Sequence, residues 1–283
     1  MQRASSWVVR PTDLNDRDLV RGLIEGARWR HQHLDWANAL SLLDEHPFLM
    51  VEEHGLPVGC MACPPDPPGV AWIRVFASAS GYKLEDVWSA LWERVVAEAA
   101  YFGIEHVAAL SLHPWMGPLL TDSDFVQDNA VIFMAWETGL PPQHPHSAAE
   151  LRDLAPSDVE AVAAVDHRAF QPIWRHSPRA LHLALEQSSY ARVAVIGGQI
   201  VGYQICTATA FGAHLARLAV DPDVQHQGLG RVLVADVLRT FSDRGYGRVT
   251  VNTQADNLTS QALYKHLGFQ ETGQVFPVFE RGF

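Results

Sequence analysis

Apolar and polar residues follow the same order of periodic patterns in the two halves of the chain. Near the start, VVRPTDLNDRDLVRGLIEGA predicts a strand, a turn and a helix opened by Asp13 or Asn15. In the second half, ELRDLAPSDVEAVAAVDHRA predicts the same elements, with Ser157 as the N-cap. Each half then continues with a second helical stretch and a strand pair. In the second half Gly197-Gly198 predicts a two-residue hairpin between these strands.

The spacing between corresponding residues is nearly constant. It is 142 residues between Arg10 and Arg152 and 144 between Phe125 and Phe269. We interpret this as an internal duplication, with chance similarity of mixed patterns as the alternative. The predicted domains are residues 1–138 and 149–283, and the proline-bearing stretch 139–148 is the predicted linker.

Composition narrows the class of protein. The 283 residues carry a net charge of −11 without a block of lysine or arginine, which argues against nucleic acid or an anionic membrane as the main partner. Three cysteines are too few for a disulfide framework. The first residues lack an apolar run typical of a signal peptide, and no segment reaches the length of a membrane span. We therefore expect a cytoplasmic protein.

One loop carries the strongest chemical signal. The stretch HLARLAV (214–220) predicts a strand, Asp221-Pro222 ends it, and apolar residues recurring from Leu229 predict a helix. Between them QHQGLG places Gly228 and Gly230 at the helix start, where bare amides can hold a phosphate. A plain glycine-bearing connection is the alternative. The Gly-Lys-Ser/Thr of a Walker loop is absent, and Leu233 stands where a dinucleotide fingerprint has its third glycine.

The stretch LAVDPDVQHQGLG (218–230) resembles the acetyl-CoA loop of the GCN5-related N-acetyltransferase (GNAT) superfamily, Gln/Arg-x-x-Gly-x-Gly/Ala, with Gln225 as its first residue. The following RVTVNTQADNLTSQALYKHLGF (248–269) is similar to the next strand and helix of that superfamily, through Asn257, Ser260, Tyr264 and Gly268-Phe269. The resemblance covers residues 149–283 well. Residues 1–138 share only the predicted fold and not the motifs. The tandem arrangement resembles that of the mycothiol synthases.

The resemblance implies an α/β (α+β) fold of two tandem GNAT-like domains, each a mostly antiparallel sheet with helices on both faces. Two parallel strands splay apart to admit the pantetheine arm of acetyl-CoA, the cosubstrate, and no metal is implied. The residues expected to bind acetyl-CoA lie on the strand, the loop and the second helix: Leu218, Val220, Gln225, His226, Gln227, Gly228, Leu229, Gly230, Arg231, Asn257 and Ser260.

The resemblance implies direct acetylation of an amine on a small molecule or a peptide. Tyr264 occupies the position of the general acid that protonates the departing thiolate; the alternative is a packing role on a core-facing helix. The two positions that carry a glutamate base in relatives are Ala216 and Asn252, so neither supplies a carboxylate. Four other side chains are candidate bases, and each is also an ordinary surface or core residue: His214, Asp166, His167 and His176.

The acceptor pocket is expected around AFQPIWRHSP (169–178), with Phe170 and Trp174 as walls or core residues. The first half has no such glycine loop, and Leu120 takes the place of Tyr264, which predicts a degenerate domain. The pair Cys60-x-x-Cys63 is a weak zinc candidate, and the histidines of WRHQHLDW (29–36) are predicted to lie on a helix. The rival functions are a non-catalytic acyl-CoA-binding module and an acyltransferase for longer acyl chains.

Overall fold

The computed structural model describes residues 7–137, 139, 141–142 and 147–283. Within them the chain forms two compact units. The first contains the described residues up to Asp128 together with Pro277–Phe283, and the second is Asn129–Phe276. The predicted linker 139–148 includes positions outside the described residues. The predicted domain boundaries at 138 and 149 stay predictions.

The first unit has an antiparallel sheet of five strands in the order β1-β3-β4-β6-β2. A separate strand pair joins β5 and β7 in parallel, and the end of β14 pairs antiparallel with β7. The elements are β1 (Trp7–Pro11), α1 (Arg17–Gly26), β2 (Trp29–Gln32), β3 (Phe48–Glu53), β4 (Leu56–Ala62), β5 (Gly69–Trp72), β6 (Val75–Ser78), α2 (Leu84–Glu98), β7 (Ile104–Leu110), α3 (Met116–Asp122) and β14 (Gln270–Gly282).

Strand β3 shows why this unit has helices on both faces. Successive side chains of a strand point to opposite faces of the sheet. Phe48 and Met50 pack in the core cluster that contains α1, whereas Leu49 and Val51 pack in the cluster that contains α2. All four are fully buried. A continuous apolar run therefore builds a sheet covered on both sides.

The second unit repeats this plan with one sheet in the order β14-β8-β13-β12-β11-β10-β9. Strands β9 to β12 pair antiparallel, β12 and β13 pair parallel, and β13 and β8 pair antiparallel. The further elements are β8 (Val126–Glu137), β9 (Glu150–Asp153), α4 (Val159–Ala169), α5 (Pro178–Glu186), β10 (Tyr190–Ile196), β11 (Gln199–Thr209), β12 (Gly212–Val220), α6 (Leu229–Asp243), β13 (Arg248–Gln254) and α7 (Leu258–His266).

An arginine–aspartate clamp recurs in both units with a spacing of 142 residues. In the first unit Arg10 Nη1 donates to Asp16 Oδ2 at 2.7 Å, and in the second Arg152 Nη1 donates to Asp158 Oδ2 at 2.6 Å. Each aspartate also accepts a hydrogen bond from the backbone N–H three residues before it. The recurrence of this ion pair and backbone hydrogen bond at the same spacing supports the internal duplication.

Most predicted elements of the second half are confirmed, including the hairpin at Gly197-Gly198, where both glycines have positive φ. The predicted N-cap Ser157 is wrong. It lies inside a 3₁₀ turn, Pro156–Asp158, and the Asp158 carboxylate accepts from the Ala155 N–H instead. A carboxylate already held by Arg152 is the better acceptor at this turn.

The first half contains two wrong predictions. Residues 29–36 do not form a helix, because Trp29–Gln32 is strand β2 and pairs with β6. Its exposed Arg30 and Gln32 alternate with buried His31, which is the two-residue period of a strand. The stretch AWIRVFA, predicted as one strand, is split between β5 and β6.

Candidate active site

The parallel strands β12 and β13 diverge in the middle of the second unit. Their register runs from Ala213 opposite Val249 to Leu215 opposite Val251 and ends there, although β12 continues to Val220. The other edge of β12 stays paired with β11 as far as Val220, with a register shift beside Cys206. The expected splay of two parallel strands is thus confirmed, and β12 has an open edge from Ala216 to Val220.

The corresponding edge in the first unit is covered by the unit's own chain. Gly59 lies opposite Ser78 as Gly202 lies opposite Val220, so β6 corresponds to the last residues of β12. Strand β2 pairs with the outer edge of β6, from Trp29 opposite Ser78 to Gln32 opposite Val75. A polypeptide strand therefore occupies in the first unit the edge that is open in the second.

The predicted glycine loop follows directly from the open edge. Its first residue, Gln225, donates from Nε2 to the Val220 carbonyl at 3.0 Å and from its backbone N–H to the Pro222 carbonyl at 3.3 Å. The rest of the loop, residues 226–228, is exposed. His226 and Gly228 have positive φ angles of 62° and 81°. The loop is therefore a tight turn over the sheet edge, with its backbone open to solvent.

Glycine is favoured at positions 228 and 230 for different structural reasons. Gly228 adopts the left-handed conformation, which costs other residues about 1–2 kcal/mol. A Cβ on Gly230 would lie 3.1 Å from Leu263 Cδ2, so this glycine allows α6 to start close to α7. The first bond of α6 is donated by Val232 to the Gly228 carbonyl at 3.0 Å. The backbone N–H groups before Val232 have no acceptor carbonyl within the helix; they belong to Leu229, Gly230 and Arg231. Of these residues Leu229 is buried and Arg231 is exposed.

Three predicted residues lie along one side of α7. Asn257 is its N-cap, and its side-chain oxygen accepts from the Ser260 N–H at 3.0 Å. Ser260 and Tyr264 are four residues apart, so they share a face of the helix. Leu218 and Val220 of β12 are half-buried and pack beside the cluster that contains Leu229. Helix capping is a sufficient structural reason for an asparagine at position 257. Its amide nitrogen lies 3.5 Å from Gln254 Oε1.

Tyr264 is buried in the core cluster that covers the splayed strands on the α6 side. Its ring lies 5.5 Å from that of Phe269, and the cluster also contains Leu215 and Val251, the last paired residues of β12 and β13. Burial raises the pKa of the Tyr264 hydroxyl, so this group stays protonated at neutral pH. Packing and proton donation are therefore compatible roles for the same side chain.

Asp166, one of the four candidate bases, is already engaged in a buried network. Its carboxylate accepts hydrogen bonds from Tyr203 Oη, from Arg217 Nε at 2.8 Å and from the His176 N–H at 2.8 Å. Arg217 also donates to the Trp174 carbonyl at 2.6 Å, and its guanidinium lies 3.6 Å from the Phe170 ring centroid. The network fixes α4, β11 and the loop 169–178 around one buried ion pair.

The three candidate histidines have different surroundings. His167 is exposed on α4, and His176 is half-buried beside the Asp166 network. His214 is half-buried on β12, with Nδ1 2.8 Å from Thr250 Oγ1 and Nε2 3.0 Å from Asn252 Oδ1. It therefore contacts Asn252, the position at which the resemblance places a glutamate in relatives. Burial lowers the pKa of His214 from its usual value of 6.5.

The two cysteines of Cys60-x-x-Cys63 pack in different core clusters, one beside α1 and the other beside α2. Burial raises the pKa of each thiol to about 12, so both stay protonated. Among the described residues, no three histidine, cysteine, aspartate or glutamate side chains form a group that could hold a metal ion. Nor does any helix there have the length and apolar character to cross a membrane.

Sequence reasoning missed the Asp166–Arg217 pair and the bond between His214 and Thr250. A signal for the first was present, because Arg217 interrupts a strand that is otherwise apolar at alternate positions. The second depends on the register between β12 and β13, which places His214 opposite Thr250. No pattern within either strand gives that register.

Residues 159–269 match the model of the acetyltransferase (GNAT) family. The [ribosomal protein bS18]-alanine N-acetyltransferase of Escherichia coli is 29% identical over 128 residues, which are 43% of this chain and 80% of that protein. A GCN5-related N-acetyltransferase from Sphaerobacter thermophilus has a similar fold, with a TM-score of 0.62 and 16% identity over 98% of this chain and 96% of the other. A tandem GNAT protein from the clavulanic acid biosynthesis pathway has a TM-score of 0.66 and 16% identity over 98% of each chain.

The fold is thus that of tandem GNAT domains, as the sequence predicts. The region similar to the GNAT acetyltransferase family contains the open edge of β12, the glycine loop and Tyr264. The family match and the named acetyltransferase relatives support an N-acetyltransferase activity.

Proposed function

We propose that the second unit binds acetyl-CoA and transfers its acetyl group directly to an amine, without a covalent intermediate. The observation that carries the proposal is the open edge of β12, which leads into the first turn of α6. A pantetheine arm can pair with a free strand edge as an added strand does. A pyrophosphate suits the amides of a helix start. The proposed contacts remain the eleven residues predicted from the sequence, on β12, the loop, the first turn of α6 and the start of α7.

The proposed chemistry needs one proton acceptor and one proton donor. The amine nitrogen loses a proton and attacks the thioester carbonyl carbon, forming the C–N bond. The C–S bond then breaks, and the thiolate takes a proton from the Tyr264 hydroxyl. Burial raises the pKa of this hydroxyl and so keeps the proton available at neutral pH. We therefore assign Tyr264 as the general acid.

The proposed acceptor is an amine on a small molecule or a peptide. The Escherichia coli relative is named for an alanine of ribosomal protein bS18, which makes a peptide amine one candidate for this chain. The position at which the resemblance places a glutamate in such enzymes is Asn252 here, so the proton must pass to another group. The tandem layout resembles the mycothiol synthases but carries no information about the acceptor.

Release of free thiol from acetyl-CoA tests the proposal with a panel of amines and short peptides. We expect amine-dependent release by the wild type and a fall of about 10- to 100-fold in Tyr264→Phe, with acetyl-CoA affinity nearly unchanged. Tyr246→Phe, which alters a half-buried tyrosine packed on Phe241, is the matched control. Binding without thiol release would indicate a non-catalytic acyl-CoA-binding module. Release only from longer acyl-CoA thioesters would indicate a different acyl donor.

A further inference from the structure

The imidazole of His214 connects the two strands where they begin to diverge. Both of its side-chain partners, Thr250 and Asn252, lie on β13, and Asn252 is the first residue beyond the last paired residue, Val251. Asn252 is exposed, whereas His214 is half-buried. The Nε2 atom of His214 is therefore the ring nitrogen nearer to the open part of the cleft.

An aromatic ring packs beside this imidazole, and a second aromatic ring packs against the first. The Phe133 ring is stacked on His214, with centroids 6.5 Å apart, and the Phe276 ring lies 5.6 Å from that of Phe133. An apolar setting disfavours the imidazolium ion, in agreement with the lowered pKa of His214. At neutral pH the ring is neutral, so one of its nitrogens carries a lone pair that can accept a proton.

Thr250 determines which nitrogen that is. We assign its single hydroxyl proton to the Ala213 carbonyl at 3.3 Å, and with this assignment its oxygen accepts from His214 Nδ1–H at 2.8 Å. The lone pair then resides on Nε2. The Asn252 side chain can donate to it through its amide nitrogen, because a half-turn of the amide exchanges the nitrogen and oxygen positions. In the opposite tautomer Nε2–H donates to Asn252 Oδ1, and the Thr250 hydroxyl donates to Nδ1 and gives up the Ala213 carbonyl.

The other candidate bases lack this combination of features. The Asp166 carboxylate is fully buried and accepts hydrogen bonds from three residues, including the Arg217 guanidinium. His167 is exposed on α4, outside the two diverging strands. His214 alone among the four lies on a diverging strand and bonds to the residue at the usual glutamate position.

We propose that His214 is the general base of the acetyl transfer and that Thr250 is its positioning residue. The inference rests on the proposed function. In the step, Nε2 takes a proton from the acceptor nitrogen as the C–N bond forms, and the imidazolium then returns that proton to solvent. The relay from the Ala213 carbonyl through Thr250 to Nδ1 holds the ring in the tautomer that the step needs.

Acceptors of different basicity distinguish a lost base from a general defect. An alkylamine, with a pKa near 10.4, needs proton removal at pH 7, whereas methoxyamine is already unprotonated. In His214→Gln, which can still form hydrogen bonds, we expect thiol release with benzylamine to fall about 100-fold and release with methoxyamine to fall far less. His182→Gln, at an exposed histidine of α5, is the matched control and should leave both rates unchanged. Equal losses with the two amines, or no loss with benzylamine, would overturn the base assignment.

Nitrogen-15 NMR of histidine-labelled protein tests the relay without any acceptor. We expect the wild type to show His214 protonated on Nδ1 and Thr250→Val to lose this single tautomer. A wild type protonated on Nε2 would overturn the assignment of the relay. A protein that does not bind acetyl-CoA, or binds it and acetylates no amine, would instead overturn the proposed function. The two failures are therefore separable, because acetyl-CoA binding is measured independently of the tautomer.

Discussion

Leu215 lies opposite Val251 at the last pair of the parallel strands β12 and β13. Beyond this pair the edge of β12 is free, and the chain turns into the glycine loop and α6. In the first unit the equivalent strand β6 meets β2 instead, with Trp29 opposite Ser78. The edge of β12 is therefore open in the second unit, whereas the equivalent edge of β6 is filled by β2 in the first unit.

The two loop glycines should respond differently to substitution. Gly228→Ala is expected to cost about 1 kcal/mol of unfolding free energy, because φ is +81° there, and Gly228→Asn less. Gly230→Ala should change stability by less than about 0.5 kcal/mol, because only the flexible end of Leu263 must move. It should nevertheless weaken acetyl-CoA binding by placing a methyl group in the first turn of α6. Urea unfolding and calorimetric titration measure the two effects.

The double variant Gly230→Ala/Leu263→Ala separates packing from ligand contact. If the methyl group acts by pushing Leu263, the second substitution restores acetyl-CoA affinity; if it obstructs the ligand itself, affinity stays low. We expect affinity to stay low. Wild-type affinity in Gly230→Ala would show that the ligand does not approach this turn.

Asp166 is expected to stabilise the second unit rather than to take part in proton transfer. Asp166→Ala leaves the buried Arg217 guanidinium without its carboxylate, which should cost about 3–5 kcal/mol of unfolding free energy. Asp153→Ala removes an exposed carboxylate that pairs with Arg192 and should cost less than about 1 kcal/mol. Thermal and urea unfolding of both variants test this difference. Equal small losses would contradict the structural role of Asp166.

Acid should destabilise the first unit through His31. This side chain is fully buried, and burial lowers its pKa to about 4 from a usual 6.5. Below pH 6.5 the unfolded chain takes up a proton that the folded unit excludes, so stability falls as the pH drops toward 4. The full loss from this group is about 3 kcal/mol. His31→Gln should reduce the decline in urea midpoint between pH 7 and pH 4.5, and an unchanged decline would contradict this account.

Features that depend on residues close together in the chain were predicted correctly from the sequence. Gly197-Gly198 predicts its hairpin because both positions need positive φ. The loop before α6 is equally visible, because Pro222, Gly228 and the apolar period from Leu229 each act locally. These signals are sufficient for the family resemblance and for the order of elements in the second half.

Features that depend on distant partners were not predictable from local patterns. Strand β2 was predicted to be helical, since a four-residue edge strand is too short for a firm period. The ion pair of Asp166 with Arg217 joins residues 51 positions apart, and His214 meets Thr250 across 36 positions. The strand register brings His214 to Thr250, whereas the packing of α4 on the sheet brings Asp166 to Arg217. Both are properties of the folded protein.

Calorimetric titration of acetyl-CoA tests the central claim most directly. We predict one site per chain in the wild type, because β2 fills the equivalent edge of the first unit, and no binding in the double variant Gly228→Asp/Gly230→Asp. Gly22→Asp, on the exposed side of α1, controls for added charge. One site that is lost only in the loop variant would support a single acetyl-CoA site in the second unit. Two sites per chain, or no binding by a folded wild type, would contradict it.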